Sequence, residues 1–249
     1  MKITVVTVCF NAADTIAATL RSVASQTHPD VEHIVIDGGS TDGTQAQIVA
    51  HGSHVARVIS EPDRGIYDAM NKGIRLSSGD LIGILNADDV YADEAVLERV
   101  AAVVEQENLD ALYGDVEFFA PQRSEVTTRR YSSRRFSPGR LAWGWMPAHP
   151  TLFLRRALFE RFGFYRTDFR IAGDYELIAR FFKNGDLRYR YLPEVLVRMS
   201  TGGVSTGGWR NTLLLNREVL RACRENGIRT NLCMLLSKYP LKALEFVRK

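Results

Sequence analysis

Asn86, Ala87, Asp88 and Asp89 close an apolar run, Leu81-Ile82-Gly83-Ile84-Leu85, that reads as a buried strand. Two adjacent carboxylates at the end of such a strand repel each other unless a cation offsets the charge, and a helix cap would need only one acid. Hard divalent cations such as Mg2+ or Mn2+ prefer carboxylate and phosphate oxygens, and Mg2+ typically binds through one or two carboxylates plus substrate phosphates. These residue types therefore point to a cation and a ligand that carries a diphosphate. Three earlier strand-like runs also end in polar side chains: Asn11 after Lys2 to Phe10, Asp37 after Val31 to Ile36, and Glu61 and Asp63 after Val55 to Ser60. In an open α/β sheet, ligands bind outside the carboxyl ends of the strands, so these residues are expected to share one crevice. Taken singly, Asp37 suits a helix cap equally well, and Asp42 or Asp63 a turn.

The elements that must position these side chains follow from periodicity. Asp14 is placed to cap a helix through Ile16, Leu20 and Val23; Ser40, Thr41 or Asp42 to cap one ending near Ala50. Ile66 to Leu76 presents Ile66, Met70 and Ile74 on one face, and Ala92 to Glu107 is amphipathic through Val96, Val100, Val103 and Val104. The alternation β-α-β-α-β-α-β-α predicts an α/β fold, a mostly parallel central sheet with helices on both faces.

The second half is less regular. Asp110 to Phe119 reads as a strand, and Arg123 to Arg140 as a mobile surface segment near the site. A strand over Thr151 to Leu154, a short helix from Arg155 to Phe162, a helix opened by Gly173-Asp174-Tyr175-Glu176, and strands over Leu187 to Leu192 and Val195 to Met199 follow. Ser200 to Gly208 is a Gly/Ser/Thr loop, and two helices finish the chain, Trp209 to Asn226 and Asn231 to Val247, the second broken at Pro240. The expected division is 1–208 as the binding and catalytic domain and 209–249 as basic amphipathic helices.

With 249 residues and 45% hydrophobic content the chain can bury a full core. Cys9, Cys223 and Cys233 offer neither zinc-ligand spacing nor a disulfide framework, no signal-peptide pattern precedes the first strand, and no apolar run reaches transmembrane length. A cytoplasmic location is expected. The net charge of +3 divides unevenly: from Trp209 onward nine Lys and Arg stand against three Glu, giving +6 and leaving −3 for the rest. With Leu232, Leu235, Leu236, Leu241, Leu244 and Val247, the tail suits peripheral contact with an anionic inner membrane face, and equally packing on the domain or a homodimer contact. No aromatic stacking motif interleaves the basic residues, so no nucleic-acid partner is expected.

Exclusions narrow the chemistry. The first strand is followed by Cys9-Phe10-Asn11-Ala12-Ala13-Asp14 rather than G-x-G-x-x-G, and no P-loop is present, which disfavours a Rossmann oxidoreductase. The combination Thr7-Val8-Cys9-Phe10-Asn11, Asp37-Gly38-Gly39-Ser40-Thr41-Asp42-Gly43, Glu61-Pro62-Asp63-Arg64-Gly65-Ile66-Tyr67-Asp68-Ala69-Met70-Asn71-Lys72-Gly73 and Leu85-Asn86-Ala87-Asp88-Asp89 resembles the family 2 glycosyltransferases of GT-A fold. It is most similar to bacterial enzymes that build surface polysaccharides, such as colanic-acid-type exopolysaccharide, and glycolipids.

That resemblance implies a Rossmann-like GT-A domain holding a nucleoside-diphosphate sugar (UDP, GDP or dTDP). It assigns donor binding to Thr7, Phe10, Asn11, Asp37, Gly39 and Asp63, with Arg64, Asn71 and Lys72 nearby. Asp88 takes the metal position of the family's D-x-D motif, for Mn2+ or Mg2+, with Asn86, Ala87 and Asp89 beside it. The family's Glu-Asp pair at a helix start is Gly173-Asp174 here, which makes Asp174 the implied catalytic base and Glu176 the fallback. His149 matches a position near acceptor or metal, and Ser200 to Ser205 the family's flexible Gly-Gly segment. The Q-x-x-R-W signature of processive synthases is absent, so one sugar is expected to be added, to a lipid-linked saccharide or glycolipid. The alternatives are a non-catalytic nucleotide-sugar-binding protein and a sugar-1-phosphate nucleotidylyltransferase.

Overall fold

The computed structural model describes residues 1–120, 123–183, 187–200 and 208–237. Its first half follows the expected alternation: β1 (Ile3–Cys9), α1 (Ile16–Ala24), β2 (Val31–Asp37), α2 (Thr44–His51), β3 (Arg57–Ser60), α3 (Ile66–Leu76) and β4 (Leu81–Ile84). The strands β1 to β4 pair in parallel in the order β3-β2-β1-β4. Along β1, Val6 and Val8 pack against α3 residues Met70 and Ile74, while Ile3 and Val5 join the cluster on the other face. A strand covered on both faces is mostly apolar, which is why this one is apolar apart from Thr4 and Thr7, both buried.

After β4 come β5 (Asp89–Tyr91), α4 (Val96–Gln106), β6 (Ala111–Ala120), β7 (Arg123–Tyr131), β8 (Phe153–Arg155), α5 (Arg156–Phe162), α6 (Gly173–Lys183), β9 (Tyr189–Ser200), α7 (Trp209–Glu225) and α8 (Leu232–Leu236). The sheet continues β4-β8-β6-β9-β5, with β7 on β6. β8 runs antiparallel to β4 and β6, and β6 lies parallel to β9. This is an α/β fold with a mostly parallel central sheet, as the periodicity predicts.

Four local expectations are corrected. Asp14 does not cap α1: Thr15 stands at that position, without a side-chain cap bond. Asp89–Tyr91, unpredicted, is a strand because it pairs with Met199 to Val197 of β9, a partner that local pattern does not reveal. The arginine-rich stretch is no free surface segment: residues 123–131 form β7 on β6, and 3-10 turns follow at 133–135 and 138–143. There Arg130 Nη2 meets the buried Asp115 carboxylate at 2.8 Å, and Arg129 lies 4.5 Å over Phe118. The two strands predicted between Leu187 and Met199 are one strand, β9, that absorbs an irregularity where Asp115 faces Val195.

α7 packs on α6 through buried Val219, Ala222 and Cys223. Most of the Ser200 to Gly208 loop and the tail from residue 238 onward lie outside the described residues. No helix among the described residues is long and apolar enough to cross a membrane.

Candidate active site

Strand register brings the first group together. Cys9 pairs with Asp37, and Asp37 with Ser60, so β1, β2 and β3 end at one level. Asp37 is fully buried; its carboxylate accepts the Ser40 N–H at 3.2 Å, the Ser40 hydroxyl, and the Ser60 hydroxyl at 2.6 Å. It therefore fixes the loop between β2 and α2 rather than only capping a helix. Asn11, at a left-handed φ of 49°, accepts the Thr41 N–H on Oδ1 at 3.0 Å, and its own N–H donates to Ser40 Oγ at 2.8 Å. Asp42 accepts the N–H groups of Ala13 and Thr44, so the loops after β1 and β2 are laced together.

Phe10 remains 65% exposed over this lacing, placed to receive a flat ring such as a nucleobase. A β-carbon added at Gly38 would lie 2.5 Å from Asp63 Oδ2 and 3.4 Å from the Phe10 ring, so Phe10, Gly38 and Asp63 meet at one place. Gly39, at φ 84°, sits beneath Pro62 and supplies the backbone conformation that the turn requires. Burial pushes the Cys9 thiol up to about 12, Asp37 adding to the effect, which leaves no thiolate nucleophile in this crevice.

Beside it lies the turn after β4. Leu85 and Ala87 donate to Val6 and Val8 of β1, and the Thr19 hydroxyl of α1 donates to the Asp89 carbonyl at 2.8 Å. Asp88 is half-buried and Asp89 is 1% exposed. Burial raises both carboxyls above the ordinary range, and the charge of Asp88 raises Asp89 further. Asn86 Nδ2 donates to Asp89 Oδ2 at 3.3 Å, whereas Asn86 Oδ1 and Asp89 Oδ1 are buried with no hydrogen-bond partner among the described residues. Two orphaned oxygens beside a desolvated carboxylate pair form an all-oxygen donor set, which fits a hard divalent cation completing its shell with phosphate oxygens. Among the described residues no three His, Cys, Asp or Glu side chains group as metal ligands.

A second group forms around α6. Asp174 Oδ1 accepts the Tyr175 N–H at 2.7 Å and the Tyr67 hydroxyl at 3.5 Å. Burial raises the Asp174 carboxyl, and nearby His149 opposes that rise; burial lowers His149, and Asp174 opposes that fall. His149 Nε2 shares a 2.7 Å hydrogen bond with the Tyr165 hydroxyl, and the Tyr165 ring stacks on Tyr67 with centroids 5.7 Å apart. Gly173 is what lets Tyr67 close in, because a β-carbon there would lie 2.7 Å from its ring. Glu176 is committed elsewhere: it is buried and paired with Arg180 at 2.8 Å.

The remaining sequence candidates support the frame from outside the crevice. Thr7 is fully buried, its hydroxyl 2.9 Å from His33 Nε2. Asn71 clamps the Tyr165 backbone, donating to its carbonyl at 2.8 Å and accepting its N–H at 2.9 Å. Lys72 braces the loop before α3, reaching Glu61 Oε1 at 2.8 Å and the Pro62 carbonyl at 3.2 Å. Arg64 projects outward and lines a cleft of about 180 Å³ with Tyr67, Phe169 and Arg170. Trp145 is buried under Arg135, and Trp143 is 44% exposed. Tyr67 and Tyr165 were not singled out by the sequence. Tyr67 stands inside a quoted motif, but only its long-range contact with Ile171 and Asp174 gives it a role.

Comparison with known proteins identifies the family. The model of glycosyl transferase family 2 matches residues 4–169. A Mycobacterium tuberculosis protein named PGL/p-HBAD biosynthesis glycosyltransferase is 36% identical over 215 residues, covering 85% of this chain and 79% of its own length. An uncharacterized glycosyltransferase of the same species is 35% identical over 185 residues, covering 72% and 68%. Among solved structures, S. aureus TarS 1-349 in complex with UDP superposes with a TM-score of 0.69 at 17% identity, over 93% of this chain and 67% of that one. The mannosyltransferase PcManGT from Pyrobaculum calidifontis, in complex with GDP-Man and Mn2+, gives 0.60 at 18% identity, over 98% and 80%. With a family match over more than half of its length and relatives above one third identity, the chain belongs to glycosyl transferase family 2.

Proposed function

We propose that this glycosyltransferase moves a single sugar, with inversion, from a nucleoside-diphosphate sugar to a lipid-linked saccharide or glycolipid, with Asp174 as the base. The observation that carries the reading is the state of Asp174. Its carboxylate is desolvated, has no Lys or Arg ion pair among the described residues, and sits at a helix start near His149. A carboxylate whose pKa is raised and whose charge is uncommitted is suited to take a hydroxyl proton. Inversion needs such a group on the face opposite the departing diphosphate, and Glu176, spent on Arg180, is poorly placed to substitute.

On the donor side, Phe10 stacks the base, Asp63 and the loop fixed by Asp37 hold the ribose, and Asp88, Asn86 and Asp89 hold Mn2+ or Mg2+. When bound, that cation neutralises charge on the departing diphosphate. Related folds solved with UDP and with GDP-Man support a nucleotide donor, and the base is left to the test. The resemblance to surface-polysaccharide and glycolipid enzymes, and a relative named for PGL/p-HBAD biosynthesis, support the acceptor class. The acceptor hydroxyl enters past Tyr67 from the Arg64 and Arg170 cleft. The basic tail from Trp209 onward brings the enzyme to an anionic membrane surface.

The test is calorimetry with UDP, GDP and dTDP, with and without Mn2+, followed by nucleotide release from the matching sugar donor. One nucleotide should bind in a Mn2+-dependent manner, and its sugar should be consumed slowly by water. Binding of none, or turnover that Asp174→Asn leaves intact, would overturn the reading.

A further inference from the structure

Glu218 lies on α7, 8% exposed, with no Lys or Arg ion pair among the described residues. A buried carboxylate in that state is costly unless hydrogen bonds satisfy it. Here three do: the N–H groups of Arg170, Ile171 and Ala172 all donate to it at 2.8 Å. These are the backbone groups that lead into α6, whose first internal bond runs from the Glu176 N–H to the Ala172 carbonyl. Helix starts leave such N–H groups without intrahelical partners and carry partial positive charge, so an acid there satisfies both. The usual device is a Ser, Thr, Asp or Asn at the cap itself. This sequence reads Ile171-Ala172-Gly173 at that point and has none; Glu218, from a helix 46 residues away, instead takes the three N–H groups that precede the first turn, while the Tyr175 N–H goes to Asp174 itself.

The same turn is gripped from the other side. The Tyr67 hydroxyl donates to the Ile171 carbonyl at 2.6 Å, and its ring covers Gly173. Arg170 to Ala172 is thus held by its N–H groups on Glu218 and by a carbonyl on Tyr67, and Asp174 follows two residues later. We infer that Glu218 is a positioning residue for Asp174, which makes helix α7 part of the catalytic apparatus rather than an appendage. The inference rests on the reading of Asp174 as the base.

The decisive property is selectivity: Glu218 touches nothing on the donor side, so its removal should act on turnover and leave donor binding alone. Gln keeps the shape but presents an amide NH2 where one oxygen had accepted N–H groups, leaving at least one of the three unpaired. Steady-state release of nucleotide from UDP-GlcNAc, GDP-mannose and dTDP-glucose, each with Mn2+, is measured for wild type, Glu218→Gln, Glu218→Ala, Asp174→Asn and Glu218→Gln combined with Asp174→Asn. On whichever donor is consumed, kcat should fall about 10-fold for Gln and about 100-fold for Ala, the scale of a roughly 1 Å misplacement. Donor KM should stay within about 2-fold, and the double variant should be no slower than Asp174→Asn alone, because the residue acts only through Asp174. The inference is overturned by an unchanged kcat in Glu218→Gln, by KM rising in step with the loss, by additive losses in the double variant, or by loss of nucleotide binding in Glu218→Gln, since a role in folding then suffices. If Asp174→Asn keeps wild-type turnover, the base reading itself has failed, whatever Glu218 does.

Discussion

Asp37 and Asp174 are both carboxylates at element ends, yet they are held in different ways. Asp37 is fastened by Ser40, three residues on, and by Ser60 at the end of the adjacent strand. Asp174 sits in a frame drawn from the whole chain: Tyr67 from α3, His149 and Tyr165 from the segments around α5, and Glu218 from α7 through the turn that precedes it. The proposed donor side is therefore a set of short loops on consecutive parallel strands, whereas the proposed base side exists only when α3, α6 and α7 are packed. Disturbance of the first should weaken binding, and disturbance of the second should slow turnover.

The largest effect that would break this comparison is expected at Asp174. Asp174→Asn should lower kcat by about 10²- to 10⁴-fold, the range of a lost general base, with nucleotide affinity by calorimetry within about 2-fold of wild type. A matching loss of affinity would mean that the two sides are not separate. Next is Asp88→Asn, which should cost at least roughly 10-fold in Mn2+-dependent nucleotide affinity while leaving any metal-free binding unchanged.

Two glycines sharpen the same division. In Gly173→Ala the new methyl meets the Tyr67 ring at 2.7 Å, a clash costing on the order of 1 to 3 kcal/mol, and turnover should fall before donor affinity does. In Gly38→Ala the methyl clashes with the end of the Asp63 side chain at 2.5 Å and otherwise reaches only the Phe10 ring at 3.4 Å, so affinity should fall several-fold with little change in melting temperature. Identical outcomes for the two variants would abolish the distinction.

The last effect concerns stability rather than binding or turnover. Burial pushes His33 down to about 3 and lowers His54, and both lie in the donor half. The folded protein holds His33 neutral, so its contribution is fully present above about pH 6.5 and is lost as pH falls toward about 3, at up to about 1.4 kcal/mol per pH unit. Thermal unfolding between pH 7.5 and 4.5 should show a downward trend that His33→Gln flattens.

Much of this was legible in the sequence, and the reason is local. β1 to β4 and α1 to α3 announce themselves because helix and strand periods are set by neighbouring residues. Phe10, Asn11, Asp37, Asp63 and the Asn86 to Asp89 stretch stand at strand ends, where parallel pairing necessarily gathers them. The arginine-rich stretch misled because charge is visible in a sequence and a cross-strand partner such as Asp115 is not. β5 was missed because three residues acquire strand identity only from β9. Asn71 and Lys72 stand within a recognised motif, yet the fold uses them to clamp Tyr165 and the loop around Pro62.

The sequence by itself determined the α/β alternation, the polar strand ends and the family, because each depends on contacts between residues near one another in the chain. Tertiary structure alone decided that Tyr67, His149 and Tyr165 surround Asp174, that Arg180 occupies Glu176, and that a carboxylate on α7 holds the turn before Asp174. Those assignments hang on hydrogen bonds between segments brought together by burial, and no local pattern encodes which buried groups will meet.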